Sequence, residues 1–208
     1  MRTTVRLMVA VSWMLALSAG VVRAEDATQP AQPPMDPAKQ AAMEAMQKLG
    51  SPGEAHKIFE PLVGKWSYTG QMWMSADGQP DTMTGTATNS LAFGGRFLKQ
   101  EFTGTMAGNP QPFEGLGYTG YDNIRKEYQS IWLDNMSTGV MMSTGQNDPA
   151  AGLTLQGDFS CPMTGEAHRT MKSIWKITDP DHNTYESWMN GKDGKPFKAM
   201  EIKYTRAQ

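Results

Sequence analysis

Gly115-Leu116-Gly117-Tyr118-Thr119-Gly120 has the GxGxxG spacing with which a glycine-rich turn cradles a pyrophosphate. That chemistry requires the last glycine to open a helix whose N-terminus faces the phosphate. Here Tyr121-Asp122-Asn123 makes a turn and strand-like residues resume. The glycines therefore read as places on a strand where a neighbouring group approaches closely. His56, His168 and His182 are the only histidines, and no two stand at helical or hairpin ligand spacing. A zinc or non-haem iron centre would have to be assembled from scattered positions. His182 falls in a solvated turn, His168 begins a strand, and His56 sits in a short helix where a packed or capping role is the plainer reading. Cys161 is a reactive thiol only if a cation or a helix N-terminus lowers its pKa. Glu166, His168 and Arg169 follow closely enough for a cysteine–histidine pair, but a small apolar residue at a strand end explains Cys161 more simply. Asp122 and Asp134 have turn and strand-end positions, with Asp122 set to accept local backbone bonds. Met72, Met74, Met83, Met141 and Met142 supply thioethers for a copper(I) site, or, more plainly, an adaptable apolar lining. No catalytic residue, metal site or cofactor is assigned.

The elements that must position these residues are strands. From Gly64 onward short segments alternate with turn chemistry, giving strands at 64–75, 81–92, 96–106, 112–121, 126–135, 138–146, 152–160, 167–178, 183–190 and 196–206. Asp77-Gly78, Gly94-Gly95, Asp122-Asn123 and Asp193-Gly194 are among the links, where glycine and asparagine tolerate positive φ. Ten strands without crossover helices pair consecutively and antiparallel, and the sheet has two exposed edges unless it closes. The fold class is therefore an all-β, antiparallel up-and-down barrel. Trp66, Tyr68, Met72 and Met74 share one face of the first strand, with Trp73 on the other. Met200, Ile202, Tyr204 and Arg206 share a face of the last. A charge on an apolar face needs a partner, and the Trp66 ring offers Arg206 a cation–π contact across the closure. The alternative is a frayed terminal arginine.

Ahead of the sheet, Asp36-Pro37 reads as an N-cap with proline at the first helical position, and the helical period runs to Gly50. Ser51 to Glu54 has capping-box spacing for a second short helix, ended by Pro61. Residues 36–63 form a helical lid or plug, and the barrel occupies 64–208. Residues 25–35 are proline-rich and read as a flexible linker. Residues 1–24 have a basic start at Arg2 and Arg6, an apolar stretch at 7–19, and Val22-Arg23-Ala24 before a cleavage point. They read as a Sec-type signal peptide cleaved after Ala24, giving a periplasmic or secreted protein. Its removal takes three arginines and no acids, so the net charge moves from −2 to −5. An acidic chain without a basic block is a poor partner for nucleic acid. No later stretch is suited to membrane insertion. One cysteine excludes an intrachain disulfide.

Gly64-Lys65-Trp66 after a short helix resembles the first-strand signature of the calycins, the class of lipocalins and fatty-acid-binding proteins, which set a late arginine over that tryptophan. A longer pattern runs from His56 and Leu62-Val63-Gly64-Lys65-Trp66 through Gly94-Gly95-Arg96-Phe97-Leu98 and Phe113-Glu114-Gly115. It continues with Gly120-Tyr121-Asp122 and Trp132-Leu133-Asp134 and ends at Met200-Glu201-Ile202-Lys203-Tyr204-Thr205-Arg206. This order resembles the bacterial family known as domain of unknown function 1579, over residues 52–206. The resemblance implies a calycin-like barrel and carries no activity. The related nitrobindins bind haem through a histidine late in the barrel, and the last two expected strands here contain none.

The reading that follows is a monomeric exported barrel holding a small apolar or amphipathic molecule. Strand patterning nominates Tyr68, Met72, Phe102, Trp132, Met142 and Trp175 as cavity lining. Gly64, Trp66 and Arg206 close the opposite end and have a structural role. Two alternatives stand beside it: a haem-binding or small enzymatic barrel using His56 or Cys161, and an envelope interaction module with a filled core.

Overall fold

The structure, a computed structural model, describes residues 35–208. The expected signal peptide and nearly all of the proline-rich linker lie outside the described residues. Ten strands follow one another: β1 (Gly64–Met72), β2 (Asp81–Ala92), β3 (Phe97–Met106), β4 (Phe113–Asp122), β5 (Glu127–Asp134), β6 (Met141–Asp148), β7 (Gly152–Cys161), β8 (Glu166–Asp179), β9 (His182–Asn190) and β10 (Pro196–Arg206). Each is antiparallel to its sequence neighbours, and β1 pairs with β10 to close the barrel. Closure removes the two edges that a ten-strand meander would otherwise expose. The first strand stops at Met72, short of the expected 75. Trp73 adds one further bond, donating its N–H to the Ala199 carbonyl, and the chain then turns at 75–78. The sixth strand begins at Met141 rather than 138.

Alternation in β1 buries Trp66 and Tyr68 and leaves Lys65, Ser67, Thr69 and Gln71 exposed. In β10 a bulge between Lys198 and Met200 shifts the register, so Met200, Ile202 and Tyr204 continue the inward face that Phe197 and Ala199 begin. Outside, threonines pair across strands, Thr84 with Thr105 and Thr86 with Thr103.

The two helical segments behave differently from each other. α1 (Pro37–Gly50) is capped as its sequence requires: Asp36 accepts from the Ala38 N–H at 2.7 Å, with Pro37 in the first turn. It is not a lid, because none of its residues is buried. Met43, Met46 and Leu49 make only a narrow apolar stripe among Ala, Gln, Glu and Lys. The C-terminal end alone is tied down, with Arg96 donating to the Gly50 carbonyl and Asn123 to those of Leu49 and Ser51. The plug is the following 3-10 helix, Glu54–Leu62, which buries His56, Phe59 and Leu62. The expected capping box does not form. Ser51 turns back to the Gln47 carbonyl, and the Gly53 N–H donates to His56 Nδ1 at 3.1 Å. Pro61 lies within this helix, which ends one residue later.

Phe59 and Leu62 pack with Leu98, Tyr128, Leu153 and Leu155 to form the core of the plugged end. The Leu62 carbonyl accepts from both Trp66 Nε1 (2.8 Å) and Asn89 Nδ2 (2.9 Å), and the Tyr128 hydroxyl donates to the Ala55 carbonyl at 2.7 Å. Arg206 completes this end. It stands directly across the ladder from Trp66, with its guanidinium carbon 4.2 Å from the ring centroid. It also donates to the carbonyls of Val63, Pro61 and Pro180 at 2.7–3.0 Å. Gly64 is required here on two counts: its φ is +125°, and a Cβ would lie 2.8 Å from Arg206 Nη1.

Candidate functional site

At the end opposite the plug the interior is hollow, with a cavity of about 490 Å³. Inward residues of all ten strands line it, together with residues of the links after β1, β5 and β7. Tyr68, Met72, Phe102, Trp132 and Trp175 all face it. Met142 does not. It is 64% exposed, and Met141 takes the inward place. The register is the reason: Met141 pairs with inward Trp132 and Met142 with outward Ile131, and side chains alternate strictly along a strand. The thioethers of Met141 and Met142 therefore diverge. Ten methionines line the cavity in all, giving its wall the adaptability of flexible, polarisable side chains.

Trp132 explains the first two glycines of the GxGxxG run, and Phe97 lies against the third, Gly120. The Trp132 indole lies across Gly115 and Gly117, where added Cβ atoms would come within 2.5 and 3.0 Å of the ring. These glycines make room for a cavity wall, and β4 continues straight into its turn with no phosphate-facing helix. Trp132 Nε1 donates to Asp134 Oδ2 at 2.8 Å, and Asp134 Oδ1 accepts from the Met136 N–H. Phe102 meets the Trp132 ring edge-on at a centroid distance of 5.1 Å.

The polar groups of the interior are mostly hydroxyls, joined by the Gln100 amide and two charged side chains. Thr119 donates to Ser130 on one wall at 3.1 Å. On another, Ser173 and Ser187 are cross-strand neighbours, and the Ser187 hydroxyl, 1% exposed, has no protein partner. Burial raises the Tyr68, Tyr185 and Tyr204 phenols above their ordinary range, Tyr204 furthest, so all three are neutral in the cavity wall.

Cys161 is buried in this wall at its open end. Burial alone would raise the thiol, but hydrogen bonds from Thr164, from the Met163 amide and from Arg169 outweigh it and lower the pKa. The Thr164 hydroxyl also reaches Glu166 Oε2 at 2.7 Å. The cysteine–histidine pair is not formed. His168 points outward to Asp158 at 2.7 Å and is 86% exposed, while the group beside the sulfur is Arg169, at 3.7 Å. His182 is the first residue of β9 and faces Asp179 in solvent. Asp122 accepts from the Ile124 and Arg125 amides, which hold its carboxyl below the usual range. Among the described residues no three His, Cys, Asp or Glu side chains gather into a metal-holding group.

His56 is not among the residues that line the cavity; it lies in the plug, edge-on to Phe59 and Tyr121. Burial leads the causes that lower its pKa. The sign of the linkage follows. The folded state favours neutral imidazole, so its contribution is complete above the ordinary value of 6.5 and is lost as pH falls through the depressed one. Protonation also removes the acceptor of the Gly53 N–H. Urea midpoints of the native protein are expected to fall between pH 7.5 and pH 5. His56→Asn, which keeps an acceptor but does not titrate, should flatten that fall. An unchanged slope in the variant would assign the pH dependence elsewhere.

An up-and-down barrel of ten strands, plugged at one end and hollow at the other, is a calycin-like barrel. Residues 51–206 match the family described as "Protein of unknown function (DUF1579)", and the chain belongs to that family. Among solved structures, Rv2717c from M. tuberculosis is similar at 15% identity with a TM-score of 0.51, covering 76% of this chain and 100% of its own. The S-type phycobiliprotein lyase CPES from Guillardia theta is similar at 12% identity with a TM-score of 0.51, covering 78% of this chain and 97% of its own. Identities this low speak for the fold. A comparison with curated proteins finds no match.

Proposed function

We propose that this protein is an exported carrier or receptor that holds a small apolar or amphipathic molecule inside its barrel and acts as a monomer. The observation that carries the reading is the hollow end: about 490 Å³ walled chiefly by methionines and aromatic rings, with hydroxyls set among them. That volume falls within the roughly 300–1,000 Å³ of small-molecule sites. An apolar cavity of this size forfeits packing that the fold would otherwise gain. Occupation by an apolar molecule restores those contacts. The alternative of a filled-core interaction module is disfavoured by the same cavity, and a site built on His56 is disfavoured by its burial in the plug, outside the cavity lining.

Native mass spectrometry of the protein recovered from its own cells tests the reading. The expected species is a chain beginning at Glu25, recovered outside the cytoplasm and carrying a non-covalent lipid-like mass. Ligand-free spectra from every preparation, together with no uptake of the fluorescent polyene cis-parinaric acid or its methyl ester, would overturn it. A chain that keeps residues 1–24 would overturn export.

A further inference from the structure

The cavity wall carries two charged side chains among the described residues, Asp134 and Arg169, and they are in different states. Asp134 has both oxygens engaged, one by the Trp132 indole and one by the Met136 amide. Arg169 is not matched in this way. Its side chain is 17% exposed, and its neighbours are Cys161 Sγ at 3.7 Å from Nη1 and Glu166 Oε2 at 3.7 Å from Nε. The Glu166 carboxylate is itself 55% exposed and accepts from the Thr164 hydroxyl. A guanidinium offers five N–H donors in a planar fork. Its ion pair with the half-exposed Glu166 and its contact with the Cys161 sulfur are both long, and they leave most of that donor capacity unused on a side chain largely withdrawn from water.

Position adds the second half of the argument. Arg169 lies near the start of β8, beside the link that joins β7 to β8 at the open end. Met171, Ser173 and Trp175 follow on the same inward face toward the plug. A bulge between Phe159 and Cys161 shifts the β7–β8 register beside Arg169. The wall thus presents a cation at the rim and apolar surface below it.

Building on the binding function proposed above, we infer that the ligand is a single-chain anionic amphiphile. Its carboxylate or similar oxyanion is received by Arg169 at the rim, and its apolar part extends down the barrel past Met171 toward Trp175. The planar fork suits bidentate capture of an oxyanion, and the low-dielectric wall strengthens it. Asp134, with one oxygen taken by the Trp132 indole and the other by the Met136 amide, offers an ammonium group no such free partner.

The test is a fluorescence titration of the mature chain, residues 25–208, with cis-parinaric acid and with its methyl ester. The two probes share the tail and differ in charge. The wild type is expected to bind the acid roughly tenfold or more tightly than the ester at low salt, as a charge-assisted hydrogen-bonded pair warrants. Arg169→Gln should abolish that preference, bringing acid and ester to the same affinity, with circular dichroism and the melting temperature reporting that the variant folds. Arg169→Lys should restore part of the preference as a point charge. Equal wild-type affinities for acid and ester overturn the inference, as does a preference that survives Arg169→Gln. Should the glutamine variant not fold, the wild-type acid-to-ester ratio and its loss in high salt decide the matter alone. Tight binding of the ester without preference refutes only the anionic head. Failure of both probes, together with ligand-free native spectra, refutes the carrier reading itself.

Discussion

Arg206→Ala is expected to lower the unfolding free energy by about 2–4 kcal/mol while leaving the affinity for an apolar probe unchanged. The guanidinium sits 4.2 Å from the centroid of the buried Trp66 ring, a contact worth about 0.5–2 kcal/mol. It also satisfies the carbonyls of Val63, Pro61 and Pro180; the Val63 bond is part-buried and the others are exposed, so only the first approaches the roughly 1.5–3 kcal/mol of a charged hydrogen bond. The ion pair with Asp181 adds little, since that carboxylate is 66% exposed. Truncation leaves the plug, the β8–β9 link and the last strand without their common donor. Chemical denaturation gives the stability change, and the same preparation titrated with parinaric acid gives the affinity. A loss below about 1 kcal/mol would show that Arg206 covers the plug without holding it.

Phe102→Ala is the second large effect, and it acts on both quantities. Phe102 is 6% exposed and meets three rings edge-on or tilted, those of Trp132, Tyr68 and Tyr204. Removing a buried phenyl costs about 3–5 kcal/mol, with the lower end expected where the side chain already borders empty space. The Trp132 indole loses the edge that fixes it over Gly115, so the wall becomes less ordered and probe binding weakens. The two variants should therefore separate: one unfolds more easily and still binds, the other is weakened in both. If Phe102→Ala bound the probe as tightly as wild type, the ligand would occupy only the outer part of the cavity.

The barrel was legible because its cues are local. Turn residues at fixed intervals, alternating faces and the pair Gly64 and Arg206 at the two ends specify ten strands and their closure. Five lining residues were legible for the same reason, since period-two alternation names a face once one member is known. Met142 shows where that reasoning stops. In Met141-Met142 both residues are apolar, so composition cannot choose between them, and the pairing of Met141 with Trp132 decides it. The plug was also only half legible. Both N-terminal helices have local start signals in the sequence, of which only that of α1 forms as expected, but capping is a local matter and docking is not. The barrel end accepts the Phe59 and Leu62 face and leaves α1 in solvent.

Thus the sequence by itself determined a closed barrel with Trp66 and Arg206 at one end, because strand period, turn chemistry and an otherwise stranded charge are properties of neighbouring residues. Tertiary structure alone decided that the other end is hollow and that Cys161 faces Arg169 instead of His168. It also left Arg169 with unused donors above an apolar wall. Cavity volume and charge partnership depend on which side chains converge from strands far apart in the chain, and no spacing along the sequence encodes that distance.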